Sequence, residues 1–249
     1  AAYPSKAFYS GALLSGTPPS ARRAPMGFDW PVPAVPLAFV DVPDGYERSD
    51  GSSQPNPVEA QKIVNIVTKL AAGHGVIFGE IGVVTPYSAQ VRAIKRLLNG
   101  NKPEIRSRFD APADPNTIQA LEVCSVDGFQ GREKEVIVFC CTRANPNGNV
   151  GFLADPRRVN VMLTRARRGL IIIGNLGTLR RDPEVWGPWL QWAGDNGLIC
   201  GLAAADADAA SRLATIGMSS LEEIGGRGAG EVMTMGAMLS PTMWGGGGG

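Results

Sequence analysis

The sequence predicts an α/β domain of three layers around a mostly parallel sheet, on three observations. Apolar runs that read as strands, LAFVDV (37–42), IGVV (81–84), VIVFCCT (136–142) and GLIIIGN (169–175), alternate with segments of helical periodicity. Helices of ten or more residues between strands imply parallel pairing through right-handed crossovers. VIVFCCT is apolar throughout rather than alternating, as strands covered on both faces are.

Taken in order, residues 1–36 are rich in proline and glycine and read as an irregular segment laid over the domain. The domain proper runs over 37–200, opening on LAFVDV as its first strand. NPVEAQKIVNIVTKLAAG (56–73) is a helix with both ends written: Asn56 as cap, Pro57 at the first helical position, Glu59 reaching back to the cap, and Gly73 as the stop. IGVV then passes through a TPY turn into a helix with apolar Val91, Ile94, Leu97 and Leu98. IQALEVCSV (118–126) alternates as a half-buried strand, GFQGREK is a turn, and VIVFCCT follows. Asp155 and Pro156 repeat the cap-plus-proline start and open an arginine-rich helix that gives way to GLIIIGN. EVWGPWLQWAG (184–194) is a last amphipathic helix. Residues 201–249, low in complexity and ending in five glycines, read as a disordered tail with one short helix near 219–224.

A net charge of +1 gives no global attraction to polyanions, so any phosphate contact must come from a local cluster. PRRVNVMLTRARR (156–168) is that cluster, with five arginines in thirteen residues. On a helix, Arg158, Met162 and Arg165 would be presented while Val159, Leu163 and Ala166 face the sheet. A guanidinium meets two phosphate oxygens at once and keeps its charge. The same arginines would also suit a solvated helix face with surface ion pairs. Ligands collect at the carboxyl ends of strands in parallel sheets, the edge where TPY, SVDGFQGRE and TRANPNG are expected to fall. An Arg165 buried against the sheet, or lying opposite those carboxyl ends, would count against a nucleotide role.

Several classes of chemistry find no support. No GxxxxGK[ST] loop, GxSxG elbow or GxGxxG run occurs. The four cysteines lack CxxC or His spacing for a metal, and Cys140 and Cys141 read as small packing residues. His74 in a glycine turn has no partners for general-base work. Trp186, Trp189 and Trp192 have the spacing of a packed helix face. No apolar run reaches the roughly 20 residues of a membrane span.

VTPYSAQ (84–90), SVDGFQGREKEVIVFCCTRAN (125–145) and GFLADPRRVNVMLTRARRGLIIIGN (151–175) resemble the second RecA-like domain of superfamily 1 helicases, and most closely the up-frameshift RNA helicases of nonsense-mediated mRNA decay. YPSKAFYSGALLSG and NPVEA fit the same family, so the resemblance covers most of residues 3–200 in order. It implies a RecA-like domain in which Arg165 is an arginine finger toward the γ-phosphate of ATP, with Arg167 beside it. Gln130 and Gly131 would relay nucleotide state, and Glu133 would hold the ribose. Thr85, Pro86 and Ser125 would touch the nucleic-acid backbone, assisted by Arg143 and Asn145. Gly128 and Met162 depart from the family, which usually has alanine at both positions; neither change removes a polar group. The chain then reads as part of a longer protein whose upstream RecA-like half holds the Walker loop and magnesium. Alone it would be inactive; its partners would be single-stranded RNA, that upstream half and mRNA decay factors in the cytoplasm. A DNA or RNA/DNA helicase, or a non-catalytic nucleic-acid-binding scaffold, stays open.

Overall fold

A computed structural model describes residues 3–5, 10–12, 22–33, 35–48, 55–100, 105 and 118–201. The chain divides into two units, Ala1–Ala210 and Ser211–Gly249, and the second lies outside the described residues, as do the expected tail and its short helix. Strands β1 (Leu37–Asp41), β2 (Ile81–Thr85), β3 (Glu122–Ser125), β4 (Lys134–Cys140), β5 (Ala166–Gly174) and β6 (Ile199–Cys200) form one sheet in the order β3-β2-β4-β5-β1-β6. Every pairing is parallel. Helices α1 (Pro57–Ala72) and α2 (Ser88–Gly100) cover one face; α3 (Pro156–Leu163), α4 (Leu176–Leu179) and α5 (Trp186–Asp195) cover the other.

The three layers follow from strand alternation. Val83, Val138 and Ile171 point to the α1/α2 side and join Ile63, Leu70 and Ile94. Their neighbours Ile137, Phe139 and Ile172 point the other way, to Val159, Met162, Trp186 and Trp189. Each fully buried side chain of this kind stabilises the fold by roughly 1.5–3 kcal/mol. Cys140 and Cys141 are fully buried, Trp186 and Trp189 belong to the core, and His74 is an exposed turn residue at φ 57°.

Helix α1 keeps its written ends: Asn56 Oδ1 accepts the Glu59 N–H at 3.1 Å, and the Gly73 N–H closes on the Lys69 carbonyl at 2.9 Å. Glu59, however, does not reach back to the Asn56 N–H. That donor goes to Gln90 Oε1 on α2 at 2.7 Å, and Glu59 turns inward. IQALEVCSV is strand only over β3; Ile118 and Gln119 form a helical turn.

The arginine cluster is not one helix. Helix α3 ends at Leu163, where the Thr164 hydroxyl bonds back to the Asn160 and Val161 carbonyls at 2.9 and 3.1 Å. Ala166 then pairs with Lys134, which draws Arg167 and Arg168 into the start of β5. Pairing with β4 thus ends the helix ahead of Gly169, the stop that the sequence offers. Met162, expected on the presented face, is 2% exposed and packs with Val159.

Candidate functional site

Because all strands run the same way, their ends define two opposite edges. The carboxyl edge carries Thr85, Ser125 and the residues after Cys140; the amino edge carries Glu133 before β4 and Arg165 before β5. SVDGFQGRE was expected to lie on the carboxyl edge together with the phosphate-binding arginine. In the structure that segment starts at the carboxyl end, where Ser125, Val126 and Gly128 lie, and crosses to the other edge by Glu133. Thr85, Pro86, Ser125, Arg143 and Asn145 are therefore grouped at one edge, and Gln130, Gly131, Glu133, Arg165 and Arg167 toward the other. The single carboxyl-edge site is corrected to two surfaces: Arg165 stands at the amino edge, the outcome that counts against a nucleotide site built within this domain alone, so a nucleotide role for it requires an anion brought to that edge by another body.

At the carboxyl edge most polar side chains are already committed. Thr85 is fully buried, its hydroxyl 3.0 Å from that of Thr142 and accepting the Tyr87 N–H at 3.4 Å. Arg143 is 8% exposed and donates to both carboxylate oxygens of Glu47, at 2.6 and 3.2 Å. The Asn145 side chain closes its own loop onto Asn149, with bonds of 2.8 and 2.9 Å. Ser125 Oγ accepts the Gly128 N–H at 3.2 Å. Pro86 is half-buried.

Beneath this edge lies a buried polar network that the sequence did not announce. Glu59, fully buried, accepts from the Thr142 N–H at 2.7 Å, Cys140 Sγ at 3.0 Å and Asn56 Nδ2 at 3.0 Å. Gln90 Nε2 donates to the Asn56 carbonyl at 3.0 Å, and Asn56 Nδ2 also reaches the Thr142 carbonyl at 3.2 Å. Burial raises the Glu59 carboxyl to about 8, against the bonds from Cys140 and Thr142 that favour its charged form. Burial likewise pushes the Cys140 and Cys141 thiols well up, so both stay protonated and unreactive. The network fixes Thr142 at φ 69°, a left-handed conformation strained for a β-branched residue, and so aims the loop that follows. The only hint in the sequence was polar Asn56, Glu59 and Gln90 on two helices otherwise patterned for a core.

The amino edge is open. Arg167 Nε meets Glu133 at 3.2 Å and Nη1 meets Glu135 at 3.8 Å, with both Arg167 and Glu133 about half exposed. Arg168 reaches Glu135 at 3.8 Å. Arg165 is half-buried and folds back on the end of α3: Nε donates to the Val161 carbonyl at 3.1 Å and Nη2 to Thr164 Oγ1 at 3.4 Å. It has no carboxylate partner among the described residues. Gln130 is exposed, and Gly131 takes φ 74°, which lets the chain turn toward Glu133.

Phe152 carries no signal in the sequence, since a single phenylalanine in a glycine-containing turn has no periodic pattern to mark it. It is 56% exposed, with Arg158 Cζ 5.2 Å from its ring centre and the Tyr87 ring at 5.8 Å.

Comparison with known proteins places this arrangement. Residues 1–177 match a family described as AAA domain. The chain is 40% identical over 186 residues to a regulator of nonsense transcripts 1 homolog of Neurospora crassa, covering 74% of this chain and 16% of that protein. It is 35% identical over 199 residues to the Drosophila melanogaster homolog (79% and 16%), and 40% identical over 182 residues to the ATP-dependent helicase NAM7 of Saccharomyces cerevisiae (72% and 18%). It thus spans less than a fifth of the length of these curated relatives. No helix among the described residues is long and apolar enough to cross a membrane. The chain belongs to the AAA domain family and, within it, to the up-frameshift group of superfamily 1 helicases.

Proposed function

We propose that this segment is the C-terminal motor half of an ATP-dependent RNA helicase of nonsense-mediated mRNA decay, contributing an arginine finger and part of the RNA-binding surface. The observation that carries the reading is Arg165: a half-buried guanidinium held by a carbonyl and a hydroxyl, while Arg158, Arg167 and Arg168 each reach a carboxylate. A partly desolvated cation with neutral partners is suited to an anion arriving from another body. The Saccharomyces relative is named an ATP-dependent helicase, which agrees with a nucleotide phosphate as that anion.

Arg165 and Arg167 fit the outer phosphates of ATP, and Glu133 fits a ribose hydroxyl once it exchanges its surface pair with Arg167. These residues include no phosphate-cradling loop and no set of magnesium ligands, so the remaining contacts belong to an upstream RecA-like half. ATP with magnesium supplies the phosphoryl group, whose transfer builds negative charge. Arg165 stabilises that charge only when the two halves close, so the segment alone is inactive. RNA lies along the carboxyl edge and is gripped without base specificity. Gln130 and Gly131 lie in the connection from Ser125 to Glu133, the stretch of chain that joins the two surfaces. Decay factors and the cytoplasm complete the setting of this reading.

In the complete chain that contains this segment, Arg165→Ala lowers ATP turnover by about 10³ and leaves RNA affinity without nucleotide nearly unchanged. Turnover preserved with RNA binding lost would make the segment a nucleic-acid-binding scaffold instead. Unwinding of matched RNA and DNA duplexes separates the RNA helicase from its DNA-acting alternative.

A further inference from the structure

We propose that Phe152 is a stacking platform for one nucleobase of a single strand crossing the carboxyl edge, with Arg158 placed for an adjoining phosphate. The inference rests on the nucleic-acid reading above and adds to it the group that grips a base. Thr85, Ser125, Arg143 and Asn145 have their polar side chains turned to internal partners. What this region presents outward is an apolar ring with a cation over one face. Phe152 is 56% exposed, and Pro86, Val126, Leu153, Arg158 and Val159 line one small cavity with it, so the ring sits where the chain leaves β2 and β3.

The ring is held rather than draped. Its turn, Gly151–Ala154, is anchored by Leu153, 2% exposed, whose carbonyl accepts Trp186 Nε1 at 3.0 Å. On the other side the Gly151 N–H donates to Asn149 Oδ1 at 3.0 Å. Gly151 has φ 55°, and a Cβ there would run into the Arg143 guanidinium and the Tyr87 hydroxyl, so the backbone lies flush against both. Tyr87 supports the ring edge-on at 5.8 Å and 65°. A phenylalanine fixed in this way loses little freedom on binding. A π-face also accepts any base, in keeping with a strand held mainly by its phosphates. Arg158 Cζ lies over one face of the ring, 5.2 Å from its centre, and its exposed pair with Asp155 is long at 3.8 Å, so a base stacks on the other face while Arg158 exchanges Asp155 for a phosphate.

A purely structural ring would serve as an apolar cover over Tyr87 and Pro86, and leucine would serve as well. The test therefore compares the full chain with Phe152→Leu and Phe152→Tyr, titrated with a fluorescently labelled uridine oligonucleotide of about ten residues and with an abasic strand of equal length. The expected result is roughly tenfold weaker binding of the uridine strand by Phe152→Leu, the scale of one base–aromatic stack. Phe152→Tyr should retain affinity, and the abasic strand should bind all three proteins alike. Ultraviolet cross-linking of the parent chain to the uridine strand should then mark Phe152. Equal affinity of Phe152→Leu and the parent for the uridine strand would overturn the proposal and leave the nucleic-acid reading standing. A parent chain that binds neither strand would overturn both.

Discussion

At the carboxyl edge Asn56, Glu59, Gln90 and Thr142 are buried with their polar atoms joined from helix to loop, whereas at the amino edge Arg167 and Glu133 meet half in water. The first arrangement cannot change without stranding polar groups in a medium where each costs roughly 1–3 kcal/mol. The second can dissolve and re-form for about 1 kcal/mol or less. One edge thus holds its loops in a single shape; the other leaves its cations free to exchange partners. The motor role proposed above would use both: a fixed surface to hold a track, and an adaptable one to meet a partner that opens and closes.

The sharpest way to break this contrast is at Glu59. Glu59→Ala removes the acceptor of the Thr142 N–H, Asn56 Nδ2 and Cys140, and leaves a cavity under the sheet edge. It should cost about 3 kcal/mol or more, read by urea unfolding near pH 6. A loss below about 1 kcal/mol, the range of an exposed pair, would mean that the network is not what holds the edge.

Proton linkage gives the next effect. The Glu59 carboxyl titrates near 4.5 when unfolded and about 8 in the fold, so between those values the folded protein keeps a proton that the unfolded chain has released. Its contribution is therefore full below pH 4.5 and lost as pH rises toward 8, by up to about 1.4 kcal/mol per pH unit. Unfolding curves at stepped pH should show this decline, and Glu59→Gln should flatten it. An unchanged slope in the glutamine variant would assign the decline to another group.

A third, smaller effect lies at Gly151. Gly151→Ala forces a side chain into a positive φ and against Arg143 and Tyr87, and should destabilise by about 2 kcal/mol. Because the same turn carries Phe152, it should also weaken binding of the uridine strand more than that of the abasic strand. An alanine variant as stable as the parent would show that the turn adapts, and the pre-set geometry of the ring would lose its support.

The legible parts of the fold were those written in local chemistry. Asn56–Pro57 and Asp155–Pro156 announced two helix starts, and VIVFCCT and GLIIIGN announced the central strands β4 and β5. What escaped was set by distant partners. The capping pattern at Asn56 suggested a bond from Glu59, but Gln90 on a second helix supplies it and frees Glu59 for the core. The arginine run offered its stop at Gly169, beyond the true helix end at Leu163, and only the pairing of Ala166 with Lys134 shows that Arg165 lies at a strand start. Likewise SVDGFQGRE could be placed after a strand, but not across two edges, because parallel pairing of β2 with both β3 and β4 is a property of the whole sheet.

The smallest effect tests the amino edge itself. If the Arg167–Glu133 pair is as loose as its exposure implies, Arg167→Ala should shift stability by no more than about 0.5 kcal/mol, and added salt should barely alter that difference. If the proposed nucleotide role holds, the same substitution in the complete chain should raise the KM for ATP, because Arg167 would exchange its surface carboxylate for an incoming phosphate. Stability and nucleotide use would separate at this residue, whereas at Glu59 they would fall together. A loss of several kcal/mol on Arg167→Ala would place the pair among the supports of the fold and remove the distinction between the edges.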